Sequence, residues 1–124
     1  MKIFLFLSLL IAPLCSFAVP AQPTDPHHPG SDHYTYGVDH QNMQIDGRRV
    51  DVFIPVSEKS NERFPVVVFG HGQAMEHDEY IQTFEHLAKK GVATIHPMYD
   101  RSFFDRNWKR MADDFNSLTE KTLQ

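Results

Sequence analysis

The chain has 124 residues, 41% of them hydrophobic, and a formal net charge of −4 at pH 7, which is typical of one globular domain. The mild acidity, without a cluster of Lys and Arg, argues against a nucleic-acid or anionic-membrane partner. The single cysteine, Cys15, lies in the first apolar run, so a disulfide framework, a thiol nucleophile and a zinc ribbon are excluded from the rest of the chain.

Residues 1–18 have the pattern of a signal peptide. Lys2 supplies a positive start, an apolar run extends from Ile3 to Cys15, and Ser16 and Ala18 are the small residues that a signal peptidase reads. The run is shorter than the roughly 20 residues that span a bilayer, which disfavours a membrane anchor. We therefore predict export, to the periplasm or out of the cell, with cleavage after Ala18 and no membrane partner afterwards.

Residues 19–36 are predicted to be a disordered lead-in, because four prolines stand among small and polar residues. The segment also contains acids and histidines, namely Asp25, His27, His28, Asp32 and His33. A metal site is one interpretation of this cluster. Adventitious chelation by a flexible tail is the simpler one, because a disordered segment fixes no ligand geometry. We predict no metal and no cofactor, and keep the three histidines as alternative ligands.

Residues 37–124 are predicted to form a partial α/β domain that begins with a β-hairpin. Asp46-Gly47 separates the run Met43–Ile45 from the run Val50–Ile54. Asp-Gly between two such runs favours a tight turn, because both central positions accept a positive φ. Two antiparallel strands are expected here.

The most informative stretch runs from Phe64 to Gln73. Val66 to Phe69 are apolar without alternation, which predicts a strand buried on both faces, and Pro65 can open such a strand but not occupy its interior. Two glycines then flank His71 and predict a tight turn. In a β-turn-α unit, ligand chemistry lies at the carboxyl ends of the strands, so this turn is the candidate site.

A helix and a parallel strand are expected to follow the turn as a right-handed crossover. Apolar residues recur at helical spacing after Asp78, Gly91 ends the helix, and Val92 to Ile95 form the strand. Ser102 with Asp105 resembles a capping box and predicts a second long helix with an apolar stripe in the core. The stripe consists of Phe104, Trp108, Met111, Phe115 and Leu118.

Two other uses of the glycine turn fit the sequence less well. A Rossmann fingerprint needs a third glycine where Met75 stands. A Walker-type phosphate loop needs Gly-Lys-Ser/Thr, which the sequence lacks. The remaining function for a glycine-containing turn at the end of a strand is to direct backbone N–H groups towards a developing oxyanion.

Together these elements resemble the opening of an α/β-hydrolase, in particular the branch that includes dienelactone hydrolases, chlorophyllases and polyester hydrolases. The resemblance extends from Met43 to Leu118, and its most specific part is the strand with its His-Gly. It implies that the backbone N–H of Gln73 is one donor of an oxyanion hole and that Gly72 gives the turn its conformational freedom. Gly70 and His71 are then structural residues of the turn. It also implies that the intact family acts on a small ester-type substrate without a cofactor.

The resemblance also indicates which groups the chain lacks. A serine hydrolase needs a G-x-S-x-G elbow, then an acid, then a histidine, and no serine here has that spacing. A triad of Ser102, His96 and Asp100 is disfavoured, because Ser102 is expected to cap a helix and residues this close in sequence rarely converge. We therefore predict the amino-terminal part of an exported esterase-like hydrolase, which stops before the elbow strand and has no turnover of its own.

Loss of an elbow strand would leave Val66 to Phe69 as an exposed apolar edge. Such an edge predicts marginal stability or self-association. The alternative function, from a different class, is a small exported binding protein that uses the histidine-rich tail or the His-Gly turn to hold a metal or a partner. The sequence leaves open whether the chain is an enzyme.

Overall fold

A computed structural model shows a four-stranded mixed sheet flanked by two α-helices. The structure describes residues 21–25, 28–72, 75, 77–100, 102 and 104–124. The predicted signal peptide, His27 and Gln73 lie outside these described residues. Within the described ranges, no helix combines the length and the apolar character needed to cross a membrane.

Four strands and two helices make up the domain. The strands are β1 (Gly37–Ile45), β2 (Arg48–Val56), β3 (Val66–Val68) and β4 (Ala93–Pro97). The helices are α1 (Ile81–Lys89), which follows a 3-10 turn at His77–Tyr80, and α2 (Trp108–Thr122). The strands lie in the order β1-β2-β4-β3, so β1 and β3 are the edges of the sheet.

The predicted hairpin is confirmed. Strands β1 and β2 pair antiparallel, with Ile45 opposite Arg48. The two residues between them, Asp46 and Gly47, have φ values of 52° and 71°. Both lie in the left-handed region, which Gly adopts freely and Asp tolerates better than most residues. The turn chemistry read from the sequence therefore sets the register of this hairpin.

The predicted parallel crossover is also confirmed. Val66 of β3 lies opposite Ala93 of β4, and Val68 lies opposite Ile95. Gly91, just beyond α1, has a φ of 86°, as expected for the glycine that follows a helix. Strand β4 also pairs antiparallel with β2, which places the crossover beside the hairpin.

Each face of the sheet has a small core under one helix. Under α2, the buried residues are Val50, Val52, Ile95 and Leu118. Under α1, they are Phe53, Phe84 and Ala88. Val52 and Phe53 are neighbours in β2 yet belong to opposite cores, because successive side chains of a strand point to opposite faces.

Strand β3 differs from the prediction of a strand buried on both faces. It is a three-residue edge strand, and Val66 and Val67 are 50% and 41% exposed. The N–H of Phe69 donates to Ile95 O, so the backbone hydrogen-bonding groups of the odd-numbered residues of this strand point towards β4. The N–H and C=O groups of Val66 and Val68 face the free edge. The expected apolar edge is therefore present among the described residues.

The capping-box prediction for α2 is wrong. The helix begins after Asn107, whose side chain accepts the N–H of Arg110, so Ser102 and Asp105 do not cap it. The reason is that Asn caps a helix as well as Ser does, and the Asp105 carboxylate forms an ion pair with Arg110 instead.

The predicted apolar stripe of α2 is therefore wrong at its first two positions. Phe104 precedes the helix and is 77% exposed, and Trp108 is 60% exposed. The later positions do turn towards the sheet, and Met111 and Leu118 are buried.

Candidate functional site

The carboxyl ends of β3 and β4 meet beside α2 and bound a pocket of about 340 Å³. This volume lies in the range of small-molecule sites. One wall is the turn that follows β3, from Gly70 to Gly72. The other walls come from the segment after β4 and from one face of α2, with Tyr99, Asp100, Ser102, Asp105, Trp108, Met111 and Phe115 among the lining residues.

His71 is held firmly at the base of the turn. Its side chain is 1% exposed, and its ring stacks on that of Tyr99 with the centroids 4.3 Å apart. Nδ1 lies 3.0 Å from Gly72 O and acts as the donor, since a carbonyl oxygen can only accept. Nε2 lies 3.5 Å from Asp100 Oδ1 and has no hydrogen-bond partner among the described residues.

Tyr99 ties the turn to the end of β4. Its hydroxyl donates to His71 O at 2.6 Å, and its ring meets Phe115 of α2 edge to face. Burial raises the pKa of the Tyr99 phenol, and the nearby Asp100 and Tyr80 raise it further. The phenol therefore stays a neutral hydrogen-bond donor throughout the neutral pH range.

The predicted oxyanion element is described only in part. Gly72 N–H donates to the Tyr80 hydroxyl at 3.3 Å, so this amide already has a partner. A Cβ added at Gly72 would lie 3.1 Å from the Met75 side chain, so there is little space at this position. The amide assigned to the oxyanion is that of Gln73, which lies outside the described residues and keeps the status of a prediction.

The pocket is acidic and aromatic. The Asp100 carboxylate has His71 as its ion-pair partner in the described chain, whereas Asp105 is paired with Arg110. Neither lysine nor arginine occurs among the described lining residues. The sequence analysis named Asp100 only in a disfavoured triad and did not assign Tyr99 to the site, although both follow shortly after β4, at the strand end where ligand chemistry is expected.

A triad of Ser102, His96 and Asp100 is not assembled at the pocket. Ser102 and Asp100 do line it. His96 is fully buried, with its ring 5.0 Å from that of Phe84 in the core under α1. A base in that position cannot contact a substrate in the pocket.

The histidines of the lead-in do not form a metal centre in the part that the structure describes. His28 Nδ1 accepts the Gly30 N–H at 3.1 Å, and His33 lies 3.9 Å from Asp32. Across the described ranges, no group of three or more His, Cys, Asp or Glu side chains could hold a metal ion. His27 lies outside those ranges.

The described lead-in instead contacts the end of α1. Lys90 Nζ donates to Ser31 Oγ at 2.6 Å and to two backbone carbonyls, His33 O at 2.6 Å and His28 O at 3.2 Å. Ser31 is fully buried. These contacts join segments 57 to 62 residues apart in the chain, so no local sequence pattern predicts them.

Comparisons with known proteins give no family for this chain. No protein-family model, no curated protein and no solved structure matches it significantly. The resemblance to α/β-hydrolases therefore rests on the residues of this chain alone.

Proposed function

We propose that the chain carries the oxyanion side of an exported α/β-hydrolase site for small carboxylic esters, and that the nucleophile, acid and base are not among its residues. The sheet order β1-β2-β4-β3, with a hairpin followed by a parallel crossover, supports this proposal because the resemblance implies that β3 lies between β4 and the elbow strand. The observation that carries it is the His-Gly turn at the carboxyl end of β3, which lines the pocket between the ends of β3 and β4 and one face of α2.

The contacts of the turn suit such a role. His71 is braced by its own Nδ1 bond to Gly72 O, by the Tyr99 ring and by the Tyr99 hydroxyl on its backbone oxygen. A backbone fixed from several sides presents its next N–H without reorganisation, which is the condition for stabilising an oxyanion. One such donor, assigned here to Gln73, is worth roughly 3 kcal/mol in known hydrolases.

The free edge of β3 is where an elbow strand would pair. A strand added there would end at the same side of the sheet as β3, next to Gly72 and the pocket. It would complete the ladder at Val66 and Val68, whose outward backbone groups have no strand partner in the described chain. The nucleophile at the end of that strand would then face the oxyanion amide.

The coding DNA beyond the Gln124 codon tests the proposal. We expect a G-x-S-x-G sequence shortly downstream, in any reading frame. A product extended through it should hydrolyse p-nitrophenyl butyrate, and replacement of its elbow serine by alanine should abolish turnover. The 124-residue chain should show none. The absence of such a sequence would count against the proposal, and so would turnover by the 124-residue chain that Ser102→Ala removes.

We also propose that without such a strand, β3 pairs with a second copy of the chain. Unpaired apolar edges associate, and a charge on the edge prevents it. We expect concentration-dependent association by sedimentation, and at least about tenfold weaker association for Val67→Lys. Val56→Lys, on another exposed valine at the end of the inner strand β2, is the matched control. A monomeric wild-type chain that melts cooperatively would overturn this proposal.

A second candidate function is a small exported binding protein, and one observation favours it. The walls of the pocket come from residues that the structure already describes, so ligand binding requires no additional strand. Such a protein would bind a small molecule without turning it over. Binding by the 124-residue chain, together with an inactive extended product, would support this candidate over the hydrolase.

A further inference from the structure

We propose that the pocket beside the His-Gly turn binds organic cations, namely primary to quaternary ammonium ions that carry an aromatic or aliphatic body. As a statement about substrates, this rests on the proposed function. As a statement about binding, it stands without a nucleophile and can be tested on the chain as it is.

The first argument is the charge of the pocket. Asp100 and Asp105 line it, and the described lining contains neither lysine nor arginine. The charge of Asp105 is offset by Arg110 of α2. Asp100 has no such cation: the structure gives it only the His71 ring as an ion-pair partner among the described residues. Within the described lining, Asp100 is therefore a carboxylate without a lysine or arginine partner, and a ligand could balance its charge.

The second argument is the arrangement of acceptors around His71. Its Nδ1 donates to Gly72 O at 3.0 Å. Nε2 lies 3.5 Å from Asp100 Oδ1 and has no hydrogen-bond partner within the described chain. Among the described residues, His71 therefore gives the Asp100 carboxylate no hydrogen bond, and a ligand that brings N–H groups or positive charge can supply one.

The third argument is the aromatic wall. Trp108, Tyr99 and Phe115 all line the pocket, and Tyr99 and Phe115 contact each other edge to face with centroids 5.4 Å apart. Aromatic faces attract ammonium groups through their quadrupoles, and tryptophan does so best. Met111 adds an apolar, polarisable surface for the body of the ligand. Carboxylate and rings together select a cation with an apolar body over a neutral or anionic analogue.

The test uses the single tryptophan of the chain, Trp108, as a fluorescent reporter in the pocket. The full chain is titrated with 2-phenylethylamine, 2-phenylethanol and 3-phenylpropionate, which share a phenyl ring and differ in charge. We expect the amine to bind at least about fivefold more tightly than the alcohol, and the acid more weakly than both. Equal affinity for amine and alcohol would overturn the proposal.

Two variants test whether Asp100 causes the preference for the amine over the alcohol. Asp100→Asn should remove the preference of the amine over the alcohol, whereas Asp113→Asn, on an exposed aspartate of α2 that pairs with Lys109, should retain it. A preference that survives Asp100→Asn would contradict the proposal. If Asp100→Asn fails to fold, the wild-type preference should still fall as the salt concentration rises, since screening weakens a charge contact near the surface. A preference insensitive to salt would contradict a role for Asp100.

The two proposals fail separately. An extended product that does not hydrolyse p-nitrophenyl esters would end the hydrolase proposal and leave the cation preference in place. If the extended product is active but the 124-residue chain binds amine and alcohol equally, the hydrolase proposal stands and the proposal of a cation site is refuted.

Discussion

The two ends of the parallel strands are built differently. At the amino end, polar contacts tie the lead-in to α1, and the Lys90 ammonium donates to three oxygens of the lead-in. At the carboxyl end, aromatic rings bound an open pocket, and His71 Nε2 has no hydrogen-bond partner in the described chain. Folded proteins usually satisfy buried polar groups. The contacts of the Lys90 ammonium follow that rule and are structural, whereas the pocket at the carboxyl end is open to a ligand.

The largest expected effect is that of Gly91→Ala at the amino end. The φ of 86° disfavours any side chain, and an added Cβ would lie 2.8 Å from Cε2 of the Tyr36 ring, which packs the lead-in against this turn. We expect a loss of about 3 kcal/mol in the free energy of unfolding, from backbone strain and overpacking together. Urea unfolding measures it.

Gly47→Ala is the matched control for this substitution. Gly47 also has a positive φ, but a Cβ added there meets nothing within 4 Å. It should cost about 1 kcal/mol from backbone strain alone. Equal losses for the two variants would show that Tyr36 does not constrain the amino end.

The next effect is that of Lys90→Met, which removes the ammonium from three oxygens and leaves the buried Ser31 without its donor. We expect a loss of about 2 kcal/mol. Lys89→Met is the control, since Lys89 Nζ lies 3.5 Å from Glu85 on the surface, and such pairs contribute less than about 1 kcal/mol. Neither variant should change the affinity of the pocket for 2-phenylethylamine. A change with Lys90→Met would mean that the two ends are coupled.

A smaller effect is expected at the carboxyl end from Tyr99→Phe. The variant retains the ring and loses the donor to His71 O, which should cost about 1 kcal/mol. Thermal and urea unfolding measure the loss, and Tyr34→Phe, on an exposed tyrosine of the lead-in, should cost less. If Tyr99→Phe is as stable as the wild type, the hydroxyl does not brace the turn.

The smallest effect is a pH dependence at the amino end. The hydrogen bonds from Ser57 and from Tyr36 hold the pKa of Glu62 below its ordinary value. A lowered pKa stabilises the fold above the unfolded value of about 4.3, and this contribution is lost as the pH falls towards the lower folded value. Glu62→Gln should therefore be less stable than the wild type near neutral pH.

The difference between Glu62→Gln and the wild type should shrink as acid is added. Unfolding curves recorded between about pH 7 and about pH 3 provide the comparison. Tyr36→Phe removes one of the two donors and should show a smaller pH dependence than the wild type. A difference that is constant over this range would contradict the role assigned to the Glu62 hydrogen bonds.

Part of the fold and part of the site could be predicted from the sequence. Asp46-Gly47 and Gly91 were informative because each specifies a backbone conformation that few other residues adopt. The His-Gly turn was recognisable because a run of valines ends in glycines. The pocket around the turn was not, because Asp100 and Phe115 reach it from segments whose positions depend on the packing of α2.

The sequence by itself determined the local conformations of this protein: the hairpin turn, the direction of the crossover and the turn after β3. Each depends on φ preferences or on periodicity, which act over a few residues. Only the tertiary structure decided that Val66 and Val67 are exposed, that α2 begins after Asn107, and that Lys90 holds the lead-in. Those outcomes depend on strand order and on contacts between distant segments, where packing outweighs local preference.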